Sequence, residues 1–313
     1  MNNWNEDLFD ESKIKHAINK GKRKSIFNII SISVIVFILL NVLNIAAYFY
    51  SSERSFKQLD AYTRLTTPNG YLMESSDSLG FLGGTRQYKI AKDMGHKSIV
   101  IEQNQHTFGY IPSLNISRSS GSKIGVTGES WQISYKENGW KNLLFFHPNV
   151  SYKKYYNDQN NLQDMDDHSL YEIAFSFDKP YKINHLPLFD LPEMTWFWVN
   201  SYSDEEVEDF QYEANQQDWT GTFIDEKDAV GFTVQNPIDL TSTIEYDYEE
   251  FLSLLQTSNK PSHNKAYKHL KDTNANEIEV LGVVLYGTKK DLQQMFDNPI
   301  VKAASIGGVI DNY

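Results

Sequence analysis

The feature that most constrains this chain is a run without any charged residue near its N-terminus, from residue 25 to residue 52. Within this run, Ile26 to Tyr50 is 25 residues, of which 20 are apolar or aromatic. As a helix this stretch is about 37 Å long, enough to cross a hydrocarbon core of about 30 Å. The apolar part of a cleaved signal peptide is about 7–15 residues, so the length favours an uncleaved transmembrane helix. Two of its polar residues, Asn41 and Asn44, are candidates for hydrogen bonds to a second membrane helix.

The charges on either side of this run predict its orientation. Six basic residues precede it, and four of them lie next to it: Lys20, Lys22, Arg23 and Lys24. Beyond the run, two basic residues are offset by two acidic ones: Arg54, Lys57, Glu53 and Asp60. Since basic residues stay on the cytoplasmic side of a membrane, we expect residues 1–24 to be cytoplasmic and residues 53–313 to be extracellular. The bilayer is therefore the first predicted partner.

Composition excludes several classes of function. The net charge of −12 argues against nucleic acid as a partner, because binding phosphates needs clustered Lys and Arg. The chain has no cysteine, so disulfides, thiolate catalysis and cysteine-ligated zinc are excluded. Its 8 histidines are scattered without the spacing of a metal site, and the chain carries no nucleophile elbow and no phosphate-binding loop of the Walker type. The sequence therefore predicts no metal, no cofactor and no enzymatic activity.

The cytoplasmic tail is too short to form a domain but has a patterned face. If it is helical, Trp4, Leu8 and Ile14 fall within one arc of about 120°. One interpretation is a helix that binds a partner through Trp4, Leu8, Phe9 and Ile14, surrounded by the acids Glu6, Asp7, Asp10 and Glu11. The alternative is a loosely ordered tail whose basic end only sets the topology.

The first part of the extracellular region is predicted to be rich in β-strands. Residues 53–67 form a stalk, and residues 68–150 carry short apolar runs separated by glycines, with strands at 98–101 and 131–135. A Gly-x-x-Gly-Gly sequence at 80–84 is typical of a turn, since no Lys-Ser or Lys-Thr follows it as in a phosphate loop. A polar stretch at 150–168 is predicted to be a solvated connector.

The second part, residues 165–313, is predicted to be an α+β domain. Apolar residues alternate with others at 171–177, which indicates a half-buried strand, and further strands are predicted at 195–199 and 229–234. The spacing of apolar residues predicts a helix over 246–257. The end of the chain reads as a strand buried on both faces, a short helix and a last strand, at 278–286, 292–296 and 300–310. This is the pattern of a βαβ unit.

Two further clusters have a structural interpretation that we favour over a functional one. The aromatic residues Trp196, Phe197 and Trp198 could line a ligand groove, but the packing of a core is the simpler explanation. The charge run from Glu205 to Asp209 is most simply a solvated loop.

Several motifs together resemble the bacterial sigma factor regulator family. A basic cluster leads into an Ile-rich span at 20–37, and a strand at 173–181 reads Ile-Ala-Phe-Ser-Phe-Asp-Lys-Pro-Tyr. Trp-Phe-Trp-Val follows at 196–199, Val-Val-Leu-Tyr-Gly-Thr at 283–288, and Ser-Ile-Gly at 305–307. The resemblance covers roughly residues 10–70 and 160–313. It implies an N-terminal membrane module, a C-terminal extracytoplasmic module and a membrane anti-sigma factor of an extracytoplasmic-function sigma factor.

The function that this resemblance implies is a negative regulator that transmits envelope stress across the membrane. Its partner would be a sigma factor, contacted directly or through a second membrane subunit. Two alternatives stay open: a membrane-anchored cell-surface binding protein without a transcriptional role, and a hydrolase of envelope polymers.

Overall fold

The first element of the fold is one continuous helix. The computed structural model describes residues 11–95, 97–111, 123–126, 131–186, 195–216, 221–234 and 240–311. Helix α1, Glu11–Thr66, has 56 residues and is therefore about 84 Å long. Among the described residues it is the one helix long and apolar enough to cross a membrane. The residues predicted as a stalk continue this helix and pack against the rest of the protein, since Ser55, Ala61 and Leu65 are buried.

A three-stranded antiparallel sheet folds back along the C-terminal half of α1. Its strands are β1 (Gly70–Leu79), β2 (Gly83–Asp93) and β3 (Ser98–Gly109), in the order β1-β2-β3. The predicted strand at 98–101 and the predicted turn at 80–84 are confirmed, because the glycines lie at the tight β1–β2 connection. β1 is about 34 Å long, so the hairpin extends back along α1 by about the length of its last 22 residues.

Small paired strands connect this sheet to the second part of the chain. β4 (Lys123–Val126) pairs with β5 (Gln132–Tyr135), which confirms the strand predicted at 131–135. β6 (Leu144–Phe145) pairs with β9 (Ile224–Asp225). The polar stretch 150–168 is exposed for most of its length but holds the short helix α2 (Gln159–Gln163) and is fixed by buried Tyr152, Asp158 and Leu162.

The second part is built on a five-stranded antiparallel sheet with two covered faces. Its strands are β7 (Ser169–Lys182), β8 (Thr195–Val199), β10 (Gly231–Val234), β11 (Glu279–Thr288) and β12 (Val301–Asp311). The order is β10-β8-β11-β7-β12, so β7 lies between β11 and β12, which are parallel to each other. Helix α6 (Lys289–Phe296) connects these two strands and completes the predicted βαβ unit. The α+β class is thereby confirmed.

The sheet is more deeply buried than its sequence indicates. One face packs against α4 (Leu240–Thr257), α5 (Pro261–Leu270), α6 and Leu65 of α1. The other face is covered by residues that include Met94 and Phe145, and it buries Trp196 and Trp198. The prediction of a half-buried strand at 171–177 is therefore wrong, because both faces of β7 are covered. The packing interpretation of the aromatic cluster is confirmed.

Two helices differ from the prediction. The acidic run at 205–209 is not a loop: it lies in α3 (Asp204–Gln216), whose first turn carries Asp204, Glu205 and Glu206. Carboxylates are stabilised there by the positive end of the helix dipole, and Glu206 accepts hydrogen bonds from the backbone N–H and hydroxyl of Ser203. Helix α4 begins six residues before the predicted start at residue 246.

Candidate functional site

The candidate site is the place where the end of α1 and the first sheet meet the five-stranded sheet. Five buried polar side chains, which we call the ionic junction, lie here: Lys92, Lys136, Glu172, Glu226 and Tyr286. Lys92 belongs to β2, whereas Glu172 and Tyr286 belong to β7 and β11 of the second part. The ionic junction therefore links the first sheet to the five-stranded sheet of the second part.

The geometry of the ionic junction is a chain of alternating charges. Lys92 Nζ lies 2.5 Å from Glu172 Oε1 and 2.7 Å from Glu226 Oε1. The other oxygen of Glu226, Oε2, lies 2.5 Å from Lys136 Nζ and accepts a hydrogen bond from the backbone N–H of Leu143 at 3.0 Å. Two carboxylates thus face two ammonium groups with almost no access to water. Such a group of charges is stable only while every member keeps its partners.

Tyr286 connects the ionic junction to the end of α1. Its hydroxyl oxygen lies 2.9 Å from Glu172 Oε1 and 3.0 Å from the carbonyl oxygen of Pro68, two residues beyond the helix. Burial, together with the neighbouring carboxylate of Glu172, raises the pKa of Tyr286 well above its ordinary value. The neutral hydroxyl is therefore kept as a donor at physiological pH.

The charges of the ionic junction change the pKa values of its members. Burial alone would lower the pKa of Lys92, but the carboxylates of Glu172 and Glu226 outweigh it and raise that pKa. Burial would likewise raise the pKa of Glu226, yet Lys136 and Lys92 hold it well below its ordinary value. The pKa of Lys136 is lowered, because burial exceeds the attraction of Glu226. Both Lys92 and Glu226 therefore stay charged at neutral pH.

A second buried ion pair fixes the first sheet to α1. Arg86 of β2 donates to both carboxylate oxygens of Asp77 in β1, at 2.6 Å from Nε and 2.6 Å from Nη2. The same Nη2 donates to the backbone oxygen of Ser52 at 3.1 Å and to its hydroxyl at 2.9 Å. The guanidinium also lies over the rings of Phe56 and Phe108, at 5.1 and 5.4 Å. This bidentate pair holds the hairpin in one position along the helix.

The end of α1 contacts the helices of the second part directly. Arg64 Nη2 lies 2.8 Å from Glu250 Oε1 in α4, and the ring of Tyr62 stacks on His263 of α5 at 5.9 Å. Leu65 lies in the main core cluster. A displacement of α1 along its axis therefore has to disturb the packing of the second part.

A cleft of about 600 Å³ lies beside these contacts, between the end of α1 and helices α3 and α5. Its lining mixes aromatic, acidic and basic side chains, among them Tyr62, Tyr202, Glu213, Asp228, Lys260 and His263. Burial raises the pKa of Asp228, and burial lowers the pKa of His263 to about 4. The cleft is a candidate site for a polar ligand.

The buried His263 predicts a loss of stability in acid. Its pKa is lowered from 6.5, so between pH 6.5 and pH 4 the unfolded chain binds a proton that the folded chain does not. Stability is therefore complete above pH 6.5 and falls on acidification, by about 1.4 kcal/mol per pH unit for one histidine. We expect His263→Gln to reduce the difference in unfolding free energy between pH 7 and pH 5, as measured by urea denaturation. His185→Gln, at an exposed position, is the control; equal acid sensitivity in both variants would contradict the prediction.

The structure places the described sequence-predicted site residues on α1, outside the ionic junction. Ile14 is exposed on α1, as are the predicted topology residues Lys20, Lys22, Arg23 and Lys24. Trp4, Leu8 and Phe9 lie outside the described residues. The side chain of Asn41 donates to the backbone oxygen of Phe37 at 2.8 Å within α1. Its pairing with a second helix stays a prediction.

Asn44 has partners that the sequence did not indicate. Its amide donates to the backbone oxygen of Gly80 at 3.2 Å, and its Oδ1 accepts from the backbone N–H of Leu82 at 2.6 Å. The polar group inside the apolar run is thus satisfied by the β1–β2 turn of the same chain. The residues of the ionic junction were also missed, because they lie on separate segments of the chain that only the fold brings together.

Comparison with known proteins agrees with the two-part architecture. A family model described as sigma factor regulator N-terminal matches residues 15–99, which hold α1 and the first sheet up to the start of β3. A second model, sigma factor regulator C-terminal, matches residues 162–308, which hold the five-stranded sheet and its helices. No curated protein and no solved structure matches the chain. Lys92 lies in the first matched region and Glu172, Glu226 and Tyr286 lie in the second, and the family is regulatory rather than catalytic. By both of its modules, the chain belongs to the sigma factor regulator family.

Proposed function

We propose that this protein is a membrane-bound anti-sigma factor that holds an extracytoplasmic-function sigma factor inactive and transmits envelope stress across the membrane. The observation that carries the proposal is the continuity of α1, which runs without a break from Glu11 to Thr66. Its last turns are buried against the five-stranded sheet and its helices, which we call the regulator domain. Its first turns lead to the basic cluster and the tail. One continuous helix therefore connects the tail to the regulator domain.

The orientation follows from charge. The basic residues Lys20, Lys22, Arg23 and Lys24 lie on the tail side of the apolar run, so the tail is cytoplasmic and the two sheets are outside. The tail then lies in the compartment of the sigma factor. The 24 residues on this side of the apolar run are enough for a binding helix, and a second membrane subunit that presents the sigma factor is compatible with the same design.

Transmission through α1 requires that the two sheets have a firm hold on the end of the helix. Three groups of contacts provide it: the Arg86–Asp77–Ser52 interaction, the Arg64–Glu250 ion pair and the contact of Tyr286 with Pro68. They are spread over more than a dozen helical residues. If a stress signal rearranges the regulator domain, α1 would therefore move or rotate together with it, because these contacts prevent the domain from sliding along the helix.

Alanine insertions after Gly21 test this transmission, because a Cβ at this glycine meets nothing within 4 Å. One, two and four inserted residues rotate the tail by about 100°, 200° and 400° and leave the outer contacts unchanged. If the sigma factor recognises a face of α1, a sigma-dependent reporter should rise most with two insertions and return towards the original level with four. Removal of residues 2–20 gives the fully released level. Equal reporter activity in all three insertions, at the unmodified level, would contradict transmission through the helix.

A cell-surface binding protein without a transcriptional role is the second candidate. The cleft beside Tyr62 favours it, because its polar lining suits a ligand from outside. The same deletion of residues 2–20 distinguishes the two candidates. An anti-sigma factor releases its regulon when the tail is removed, whereas an anchored binding protein leaves the regulon unchanged.

A further inference from the structure

The β1–β2 turn and the end of β3 form an exposed apolar surface beside the apolar run of α1. The four side chains, which we call the apolar tip, are Leu79, Phe81, Tyr110 and Ile111, with exposures of 57%, 57%, 65% and 37%. The backbone N–H of Tyr110 donates to Leu82 O at 3.0 Å, which keeps the two segments together. Exposure of several large apolar side chains to water is unfavourable, and a contiguous surface of this kind is typical of a site that binds a partner.

The tip is fixed at a defined position along α1. Asn44 is bonded to both Gly80 and Leu82, and the ring of Tyr48 lies 5.9 Å from that of Phe108. A Cβ on Gly84 would lie 3.2 Å from the Tyr48 ring, so glycine permits the close approach of strand and helix. The apolar tip therefore lies at the level of Asn44, inside the uncharged run and not above it.

If α1 spans a bilayer, the hydrocarbon core of that bilayer ends at the level of Asn44. A core of about 30 Å takes up about 20 helical residues, so a helix that enters it at Ile26 leaves it near residue 45. Tyr48, Phe49 and Tyr50 follow immediately, as expected for aromatic side chains at an interface. The apolar tip thus reaches the depth at which lipid acyl chains begin.

Charge distribution along the hairpin agrees with this depth. Residues 78–85 contain no charged side chain, and residues 107–111 contain none either. The nearest charges, Asp77 and Arg86, are paired with each other and turned towards α1. Exposed ionic pairs such as Lys89 with Glu74 begin only further from the tip. The hairpin is therefore free of charged side chains at the end nearest the apolar run of α1.

We propose that the apolar tip inserts into the outer leaflet of the bilayer, so that the extracellular region is held to the membrane at a second place besides α1. The ligand is lipid: acyl chains contact Leu79, Phe81 and Ile111, and the hydroxyl of Tyr110 faces the headgroups. The backbone of the turn remains satisfied there, since Gly80 O and Leu82 N are bonded to Asn44. A bilayer contact at this point makes the hairpin responsive to the state of the membrane.

Single cysteines test the insertion directly, because the chain has none of its own. The full chain is placed in lipid nanodiscs, one copy per disc, with an environment-sensitive fluorophore on Phe81→Cys. The matched control is Gln87→Cys, an exposed position on β2 that is four residues, or about 13 Å, beyond Gly83. We expect lipids brominated on their acyl chains to quench the label at 81 and not at 87. Aqueous iodide should quench the label at 81 about fivefold less than the label at 87.

Two outcomes would overturn the proposal. Equal quenching by iodide at both positions, without quenching by brominated lipid at 81, would place the tip in water. Protection of position 81 from both quenchers would show that protein, and not lipid, covers it. Because both labelled positions are exposed, the circular dichroism spectra of the labelled proteins should match that of the unmodified chain.

Discussion

Replacing Lys92 with methionine should lower the free energy of unfolding by about 3–5 kcal/mol, the range for removing one partner of a buried ion pair. Lys92 is completely buried and contacts both Glu172 and Glu226. The carboxylate of Glu172 needs this ammonium group, because its Oε2 has no hydrogen-bond partner among the described residues. In the variant, its Oε1 would retain only the hydrogen bond from the hydroxyl of Tyr286. Without the ammonium group, a carboxylate remains in an apolar environment with too few donors. Urea denaturation of the full chain in detergent measures the loss.

Lys89→Met, three residues earlier on β2, is the matched control. Its ion pair with Glu74 is exposed, with 38% and 67% of the two side chains accessible, and exposed pairs contribute below about 1 kcal/mol. Adding Glu172→Gln to Lys92→Met should cost less than the sum of the single changes, since the partner charge is then also removed. A Lys92 variant no less stable than the Lys89 variant would show that the ionic junction does not hold the two modules together.

The double variant Trp4→Ala, Leu8→Ala should weaken binding of the tail to its cytoplasmic partner by more than about a hundredfold. The reason is that burial of each anchor side chain contributes about 1.5–3 kcal/mol to the free energy of binding. Such anchors carry most of the affinity in a small interface. In cells, the variant should release the sigma factor and raise its regulon. A reporter driven by the sigma-dependent promoter, together with recovery of the sigma factor from membranes, measures the effect.

The control for this experiment is a change in charge alone. Reversing Glu6, Asp7, Asp10 and Glu11 should slow association and alter its salt dependence more than it changes the final affinity. Protease added to intact protoplasts should digest the extracellular region of every variant, which verifies insertion and orientation. A silent regulon with a correctly inserted double variant would mean that the tail only sets topology. Regulation would then have to pass through the membrane span, with Asn41 as the remaining candidate contact.

The sequence predicts elements well where one physical signal dominates. The uncharged run gives the membrane helix, and the β-branched stretch at 278–286 gives a strand covered on both faces, as found in β11. The prediction failed where residues from distant segments cover a face of a strand and so determine whether that face is buried. In β7 the alternating residues Glu172, Ala174 and Ser176 read as a solvent face, but Met94 and Phe145 from distant segments cover it. A single strand carries no information about such a cover.

The ionic junction could not be found from the sequence for the same reason. Lys92 and Glu172 are 80 residues apart, and Lys92 and Glu226 are 134 apart. Each is a common residue in an ordinary strand or loop, and only the fold brings opposite charges together. Asn44 is different, since a polar residue in an apolar span is itself a signal. The sequence indicated that Asn44 needs a partner, but the β1–β2 turn provides it rather than a second helix.

The hairpin that returns along α1 protects the part of this helix next to the membrane from endoproteases. Endoproteases bind their substrates as extended strands, and the backbone of α1 from Asn44 to Thr66 is helical, with β1 and β2 packed beside it. Cleavage just outside the membrane therefore requires local unfolding of α1, and its rate follows the population of that opened state. Loss of the Arg86–Asp77–Ser52 contacts would raise this population without unfolding the five-stranded sheet. The rate of any such cleavage therefore depends on how firmly the first sheet is attached to the helix.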